Sequence, residues 1–322
     1  MRISLEDAVA RLRNGEVVAI PTETVYGLAA DATNDIALQK IFSTKQRPAD
    51  HPLIVHISDI SQVEDWAEVF PEVAVTLAKA FWPGALTLIL PAKSNVSSVV
   101  RGGEPTIALR VPNHPTALAL LKLSGLSIAA PSANLFTQLS PTTAAHVETG
   151  LGENIPVLDG GACKVGIEST IVSVSADEQW QLLRPGMISE ADIARVAGTF
   201  QQENLVNLNN KSQTPKAPGQ HALHYSPRTP LLLFKDKAAL IREYEVLTQS
   251  GLKCAALLIG EGIKPNCTTI QLSNQPAAVA EQLYSALHQL DELKVERILV
   301  ELPPKMPEWA ALLDRLSRAG ES

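Results

Sequence analysis

GEVVAIPTETVYGLAADA, residues 15–32, runs from a glycine through an apolar stretch into a threonine-rich turn. Gly15 ends the helix predicted for residues 4–13, in which Ser4 can cap the first turn, Asp7 sits at N3, and Leu5, Val9 and Leu12 share one side. EVVAI at 16–20 reads as a strand and PTETVYGLAADA as a loop. A helix in DIALQKIF (35–42) and a strand in LIVHI (53–57) follow. That alternation is the signature of an α/β protein, in which helices cover apolar strands.

The alternation persists downstream. Strands are expected at 85–90, 106–111, 126–130, 155–158, 169–175 and 180–184, and helices at 71–81, 115–124, 141–149 and after Arg184-Pro185-Gly186. A twisted mixed sheet with flanking helices is implied over residues 1–200, its strand order unreadable from the pattern. Residues 201–222 are polar, contain prolines and lack apolar anchors, so 201–229 reads as a linker. LLLF (231–234), CAALLIG (254–260) and ERILVEL (296–302) alternate with helical patterns at 236–248, 275–290 and 308–318. They predict a second, smaller, Rossmann-like α/β domain over 230–322.

Composition narrows the function. The 322 residues are 45% hydrophobic and only 19% charged, which supports buried cores, and aromatics at 4% make those cores aliphatic. A formal charge of −7 gives little general attraction to nucleic acid, although a local basic cleft is compatible with it. Cys163, Cys254 and Cys267 form neither a CxxC pair nor a disulfide framework, and read as buried thiols of a reducing compartment. The first fifteen residues lack a signal peptide's apolar core, and no apolar run is long enough for a membrane span. A cytoplasmic location is the expectation.

Six segments carry chemical content. Thr22, Thr24 and Tyr26 follow a strand, where α/β proteins commonly build sites; the other reading is a hydroxyl-stabilised turn with Glu23 in solvent. Lys45 and Arg47 can bracket a polyanion or form a solvated basic turn, and Pro48 and Pro52 stiffen the chain beyond them. His51 and His56 lack a zinc spacing; His56 lines a site or sits in the core. Arg110 closes the strand TIALRV, so it must meet a substrate carboxylate or a structural acid. In SIAAPSANLFTQLSPT (127–142), Ser132 and Asn134 face one way if the chain is extended, and Ser140 precedes a helix start.

Ser169 and Thr170 enter a strand as candidate substrate contacts. Arg184 precedes Pro185-Gly186 and meets a phosphate or flanks a turn. No GxxxxGK[ST], GxGxxG or G-x-S-x-G element is present. The residues alone describe an α/β protein with a polyanion site.

PTETVYGL, Lys45-Gln46-Arg47, RPADHPLIVHI, WPGALTLIL, PSAN and GIESTIV…LLRPG occur together, in order, across residues 5–200. In this the chain resembles the YrdC-like threonylcarbamoyl-AMP synthase family, and APGQHALHYSP with the α/β tail resembles its long, two-domain form. The resemblance implies a nucleotidyltransferase that joins L-threonine, bicarbonate or CO2, and ATP into threonylcarbamoyl-AMP and pyrophosphate. Separate transfer proteins would then modify tRNA adenosine, with direct tRNA contact left open.

It also implies that Lys45, Arg47, Ser132 and Asn134 are the catalytic, ATP-side signature. His51, Thr106, Ser140 and Arg184 would complete the nucleotide side, and Tyr225 would reach back over it from the linker. Thr24, His56, Arg110 and Ser169 would hold threonine, with the backbone at Ala130 between the two ligands. Mg2+ is expected to arrive with ATP rather than on protein ligands, and residues 210–228 to act as a lid. The competing classes are an RNA-binding or ribosome-maturation module and a related carbamoyl-adenylating enzyme with another acceptor.

Overall fold

The computed structural model describes residues 1–198, 215–219 and 224–320. Most of the expected linker, residues 201–214 and 220–223, lies outside the described residues, as do residues 199–200.

The first sheet contains β1 (Arg2–Ile3), β2 (Val18–Ile20), β3 (Gly27–Asp31), β4 (Ile54–His56) and β5 (Leu86–Pro91). It continues with β6 (Thr106–Arg110), β7 (Ile128–Ala129), β8 (Val157–Leu158), β9 (Thr170–Val174) and β10 (Trp180–Arg184). Their order is β1-β8-β2-β3-β7-β4-β6-β5-β9-β10. Parallel pairs such as β4–β6 occur beside antiparallel pairs such as β2–β3 and β5–β6, so the sheet is mixed as expected. Helix Leu5–Arg13 begins where the sequence places it: the Ser4 side chain accepts from the Asp7 N–H at 3.1 Å, and Ala8, Val9 and Leu12 are buried.

PTETVYGLAADA is not a loop throughout. Gly27–Asp31 forms β3, antiparallel to β2 with Ile20 opposite Gly27. Residues 27–30 are all buried, so the strand carries no polar alternation, and the turn signals before it dominate the sequence pattern. The hairpin confines the threonine turn, residues 21–26, to the end of two paired strands.

The second sheet contains β11 (Leu231–Phe234), β12 (Cys254–Ile259), β13 (Thr268–Leu272) and β14 (Arg297–Glu301), in the order β11-β14-β12-β13 with every pair parallel. β13 has no counterpart among the sequence expectations. It is a part-exposed edge strand beginning with two threonines, which weakens its apolar signature. Helices Lys237–Gln249, Pro276–Glu292 and Ala310–Ala319 cover this sheet.

The two sheets' layers share one apolar cluster. Val25, Leu139 and Ile167 from the loops of the first sheet pack with Leu283, Leu312 and Leu316 of the second. Contact is close enough that a Cβ on Gly166 would lie 2.2 Å from the Ala280 carbonyl oxygen. Cys163 and Cys254 are buried and all three cysteines are free. Among the described residues no helix is long and apolar enough to cross a membrane.

Candidate active site

The threonine turn is organised from within. The Thr22 hydroxyl accepts from the N–H groups of Thr24 and Val25, both at 3.2 Å, and donates to the Val25 carbonyl at 2.6 Å. Its oxygen lies 2.9 Å from the Thr24 hydroxyl, which in turn accepts from Arg110 Nη1 at 2.9 Å. Thr24 is thereby fixed against the end of β6.

His56 and Arg110 are register partners on parallel β4 and β6. Burial, with Arg110's charge added, holds the His56 imidazole down at about 3, so it is neutral at physiological pH. Arg110 donates from Nε to the Gly84 carbonyl at 3.1 Å, and its Nη2 lies 2.6 Å from Glu23 Oε1. Glu23, a solvent residue in the turn reading, is only 7% exposed. Sequence reasoning missed this pairing because no local pattern ties a turn glutamate to a distant strand.

Lys45 closes helix Asp35–Lys45, and Gln46 turns the chain with φ +51°. The Lys45 ammonium donates to the carbonyls of Ser132 and Asn134, strapping the helix end to the PSAN segment. Burial, then the nearby Arg47 charge, pushes its pKa well below the ordinary lysine value. Arg47 reaches the Pro52 carbonyl at 3.1 Å and stands 5.8 Å from the Phe136 ring centroid. Burial lowers its pKa to about 10.

The β9–β10 pairing shifts register between Leu182 and Arg184, at the strand end that carries Arg184. Arg184 Nε donates to the Ser169 carbonyl at 3.0 Å, Nη2 to the Ser169 hydroxyl at 3.1 Å, and Nη1 to the Pro218 carbonyl at 3.0 Å. The Ser169 hydroxyl also lies 2.8 Å from that of Thr87.

Gly27 bridges to Ser132, and a side chain there would meet Ala130: an added Cβ lies 3.0 Å from its Cβ and 3.3 Å from its carbonyl oxygen. Ser132 and Asn134 are not equivalent, because the chain after Pro131 makes only an isolated bridge. Ser132 faces the cavity, whereas the Asn134 amide donates to the carbonyls of Leu135 and Gln138, both at 2.8 Å.

One cavity collects most of these groups. Thr24, Arg47, His56, Arg110, Ala130, Ser132, Ser169, Arg184 and Tyr225 all line it. Lys45 and Asn134 stand behind Ser132. Ser140 is fully buried and donates to Glu168, which does line the cavity. His51 lies beside the Phe136 ring at 5.4 Å, and Thr106 opens β6; neither is in the lining. Pro218, Gly219, His224 and Tyr225 from the linker region line the cavity too, and it encloses only about 50 Å³.

Buried polar atoms without a hydrogen-bond partner among the described residues mark the cavity as a place for a polar ligand: Arg47 Nε, His56 Nδ1, His224 Nδ1 and Tyr225 Oη. The cations are withdrawn from water, with Lys45 1%, Arg47 8%, Arg110 3% and Arg184 5% exposed. A nucleic-acid backbone needs an exposed basic stripe, so this arrangement suits a small anion instead. Among the described residues no group of His, Cys, Asp or Glu could hold a metal ion.

Residues 10–186 match the Sua5/YciO/YrdC family profile, described as “Telomere recombination”. Residues 188–320 match the profile described as “Threonylcarbamoyl-AMP synthase, C-terminal domain”. The chain is 44% identical to the Bacillus subtilis threonylcarbamoyl-AMP synthase, covering 98% of this chain and 92% of that protein. It is 38% identical to the Pyrococcus abyssi threonylcarbamoyl-AMP synthase, covering 97% and 92%. The crystal structure of Pyrococcus abyssi Sua5 complexed with L-threonine superposes with a TM-score of 0.88 at 35% identity, covering 99% of this chain and 96% of that one.

Proposed function

The chain belongs to the Sua5/YciO/YrdC family in its two-domain form, and from that premise we propose that it makes threonylcarbamoyl-AMP. Its substrates are L-threonine, bicarbonate or CO2, and ATP, and pyrophosphate is the second product. The observation that carries this reading is the shared cavity, in which Arg47 and Arg184 lie with Thr24, His56 and Arg110. In this reading Arg47 and Arg184 serve a ligand with phosphates, and Arg110 a small polar ligand with a carboxylate.

Chemically, the amine of threonine adds to CO2 and loses a proton, giving a carbamate. A carbamate oxygen then forms a bond to the α-phosphorus of ATP as the bond from that phosphorus to the bridging oxygen breaks. Pyrophosphate leaves with the electron pair. No protein nucleophile is needed, so the chain contributes position and charge. Arg47 and Arg184 face the phosphates, and the strap from Lys45 holds Ser132 beside them. Arg110 receives the threonine carboxylate, with Thr24, Ser169 and the Ala130 backbone around the amino acid. Neutral His56 can orient a hydroxyl without adding charge.

Mg2+ belongs to this reading as part of the ATP complex, held by the phosphates and water. Glu168, the carboxylate in the lining, has both oxygens engaged within the protein and is not a ready metal ligand.

A cavity of about 50 Å³ is several-fold below the volume that ligand sites ordinarily enclose. This favours a cover that opens for ATP and closes over the labile carbamate, and Pro218, Gly219, His224 and Tyr225 are placed to form it. The product would pass to separate tRNA-modifying transfer proteins in the cytoplasm. Incubating pure protein with ATP, Mg2+, bicarbonate and L-threonine, then identifying the adenylate by mass, tests the assignment. Omitting bicarbonate is the control, and absence of the adenylate with all substrates present refutes it.

A further inference from the structure

Glu168 poses an electrostatic problem inside this cavity. It lies in the lining beside arginines, is only 7% exposed, and carries the wrong sign for a phosphate pocket. A free carboxylate there would repel a triphosphate or capture the arginines meant for it. Burial alone would raise its pKa. Arg315's charge, then that of Arg184 and the Ser140 hydrogen bond, instead hold it at about 2.

The side chains that tie Glu168 down come largely from the second sheet's helices. Arg315, on helix Ala310–Ala319, donates from Nε to Glu168 Oε2 at 2.8 Å, and Tyr284, on helix Pro276–Glu292, donates to the same oxygen at 3.0 Å. The other oxygen accepts from the Ser140 hydroxyl. Arg315 has a fully buried side chain, and its guanidinium stands 5.1 Å from the ring centroid of Tyr225. His288, one turn beyond Tyr284, places Nε2 3.2 Å from the Ser140 carbonyl. The contact between the two parts of the chain is therefore an ionic lock set against the cavity wall as well as apolar packing.

We propose that Arg315, assisted by Tyr284, is a positioning residue for the nucleotide end of the cavity. It cancels the charge of Glu168 and holds that carboxylate toward the second sheet, leaving Arg47 and Arg184 available to phosphate. The inference deepens the assignment above and rests on it. It gives the second α/β unit a specific task in the reaction, since the Arg315 charge must be present for the catalytic half to keep a cationic pocket.

The test is the Arg315→Met protein, checked for folding by thermal unfolding and near-UV circular dichroism. ATP affinity is measured by calorimetry without threonine, and the KM for each substrate by pyrophosphate release. Removing the guanidinium is expected to weaken ATP about tenfold and to leave the threonine KM within about twofold. Adding Glu168→Gln to Arg315→Met is expected to bring ATP affinity back to within about threefold of wild type, which a purely structural role would not do. Wild-type ATP affinity in folded Arg315→Met, or equal losses for both substrates that Glu168→Gln does not relieve, overturns the proposal.

Should Arg315→Met not fold, Arg315→Lys and Tyr284→Phe decide, each expected to weaken ATP about threefold without changing threonine use. Unaltered ATP affinity in both overturns it. A wild-type protein that binds ATP but forms no adenylate refutes the reaction assignment separately, because the calorimetric comparison is still readable.

Discussion

Glu23 Oε1 lies 2.6 Å from Arg110 Nη2, with both side chains almost wholly removed from water. The guanidinium is thus oriented by the protein itself, with Thr24 and the Gly84 carbonyl fixing its other edges. A buried pair of this kind adds little net stability, but loss of one partner leaves an uncompensated charge.

Arg110→Ala is therefore expected to raise the threonine KM by roughly 10- to 100-fold, on the order of 1–3 kcal/mol, with a much smaller effect on ATP. Glu23→Gln should raise the threonine KM by about three- to tenfold by loosening the guanidinium. Steady-state kinetics with each substrate varied in turn would expose the reverse assignment.

Arg47→Ala should weaken ATP use by on the order of 1–3 kcal/mol and spare threonine. Lys45→Met should act differently, because Lys45 is bound to the carbonyls of Ser132 and Asn134 rather than pointing into the cavity. Loss of its strap should lower kcat and thermal stability together, measured by pyrophosphate release and by Tm.

Gly219 has φ +87°, and an added Cβ would stand 2.4 Å from Tyr225 Oη and 3.2 Å from the Arg184 side chain. Gly219→Val is expected to hold the cover ajar, increasing pyrophosphate release per threonylcarbamoyl-AMP recovered at least about twofold as the intermediate meets water. An unchanged ratio, measured by mass spectrometry against pyrophosphate, would count against the covering role.

Burial holds His56 and His224 at about 3, and holds His146, stacked on His288 at 4.1 Å, at about 4. Their folded pKa values lie below that of an unfolded histidine, so the unfolded chain binds more protons as pH falls from about 6.5. Stability should be full above about pH 6.5 and decline toward pH 4 to 3, each buried histidine contributing on the order of 1–3 kcal/mol. His146→Gln should flatten the portion of the decline between about pH 6.5 and 4. Urea midpoints across pH, compared with wild type, provide the check.

Local chemistry was legible wherever it is written in consecutive residues. Ser4 capping its helix, the apolar stretches of β2, β4, β6 and β9, and the second α/β unit all follow from periodicity and turn residues. The ordered motifs carried the family resemblance, and with it the site residues that the cavity brings together. β3 escaped because a strand buried on both faces has no alternation, and β13 because a polar edge strand has little apolar signal.

Tertiary structure alone decided the strand order and the partners of the buried charges. Nothing near Glu23 in the chain announces Arg110, and nothing near Glu168 announces Arg315. Each pair exists because the fold removes both members from water at one place, where an ion left without its counter-charge is too costly to keep. The sequence supplied the residue types and their local geometry. The packing of distant segments determined which of those residues line the cavity and which hold one another.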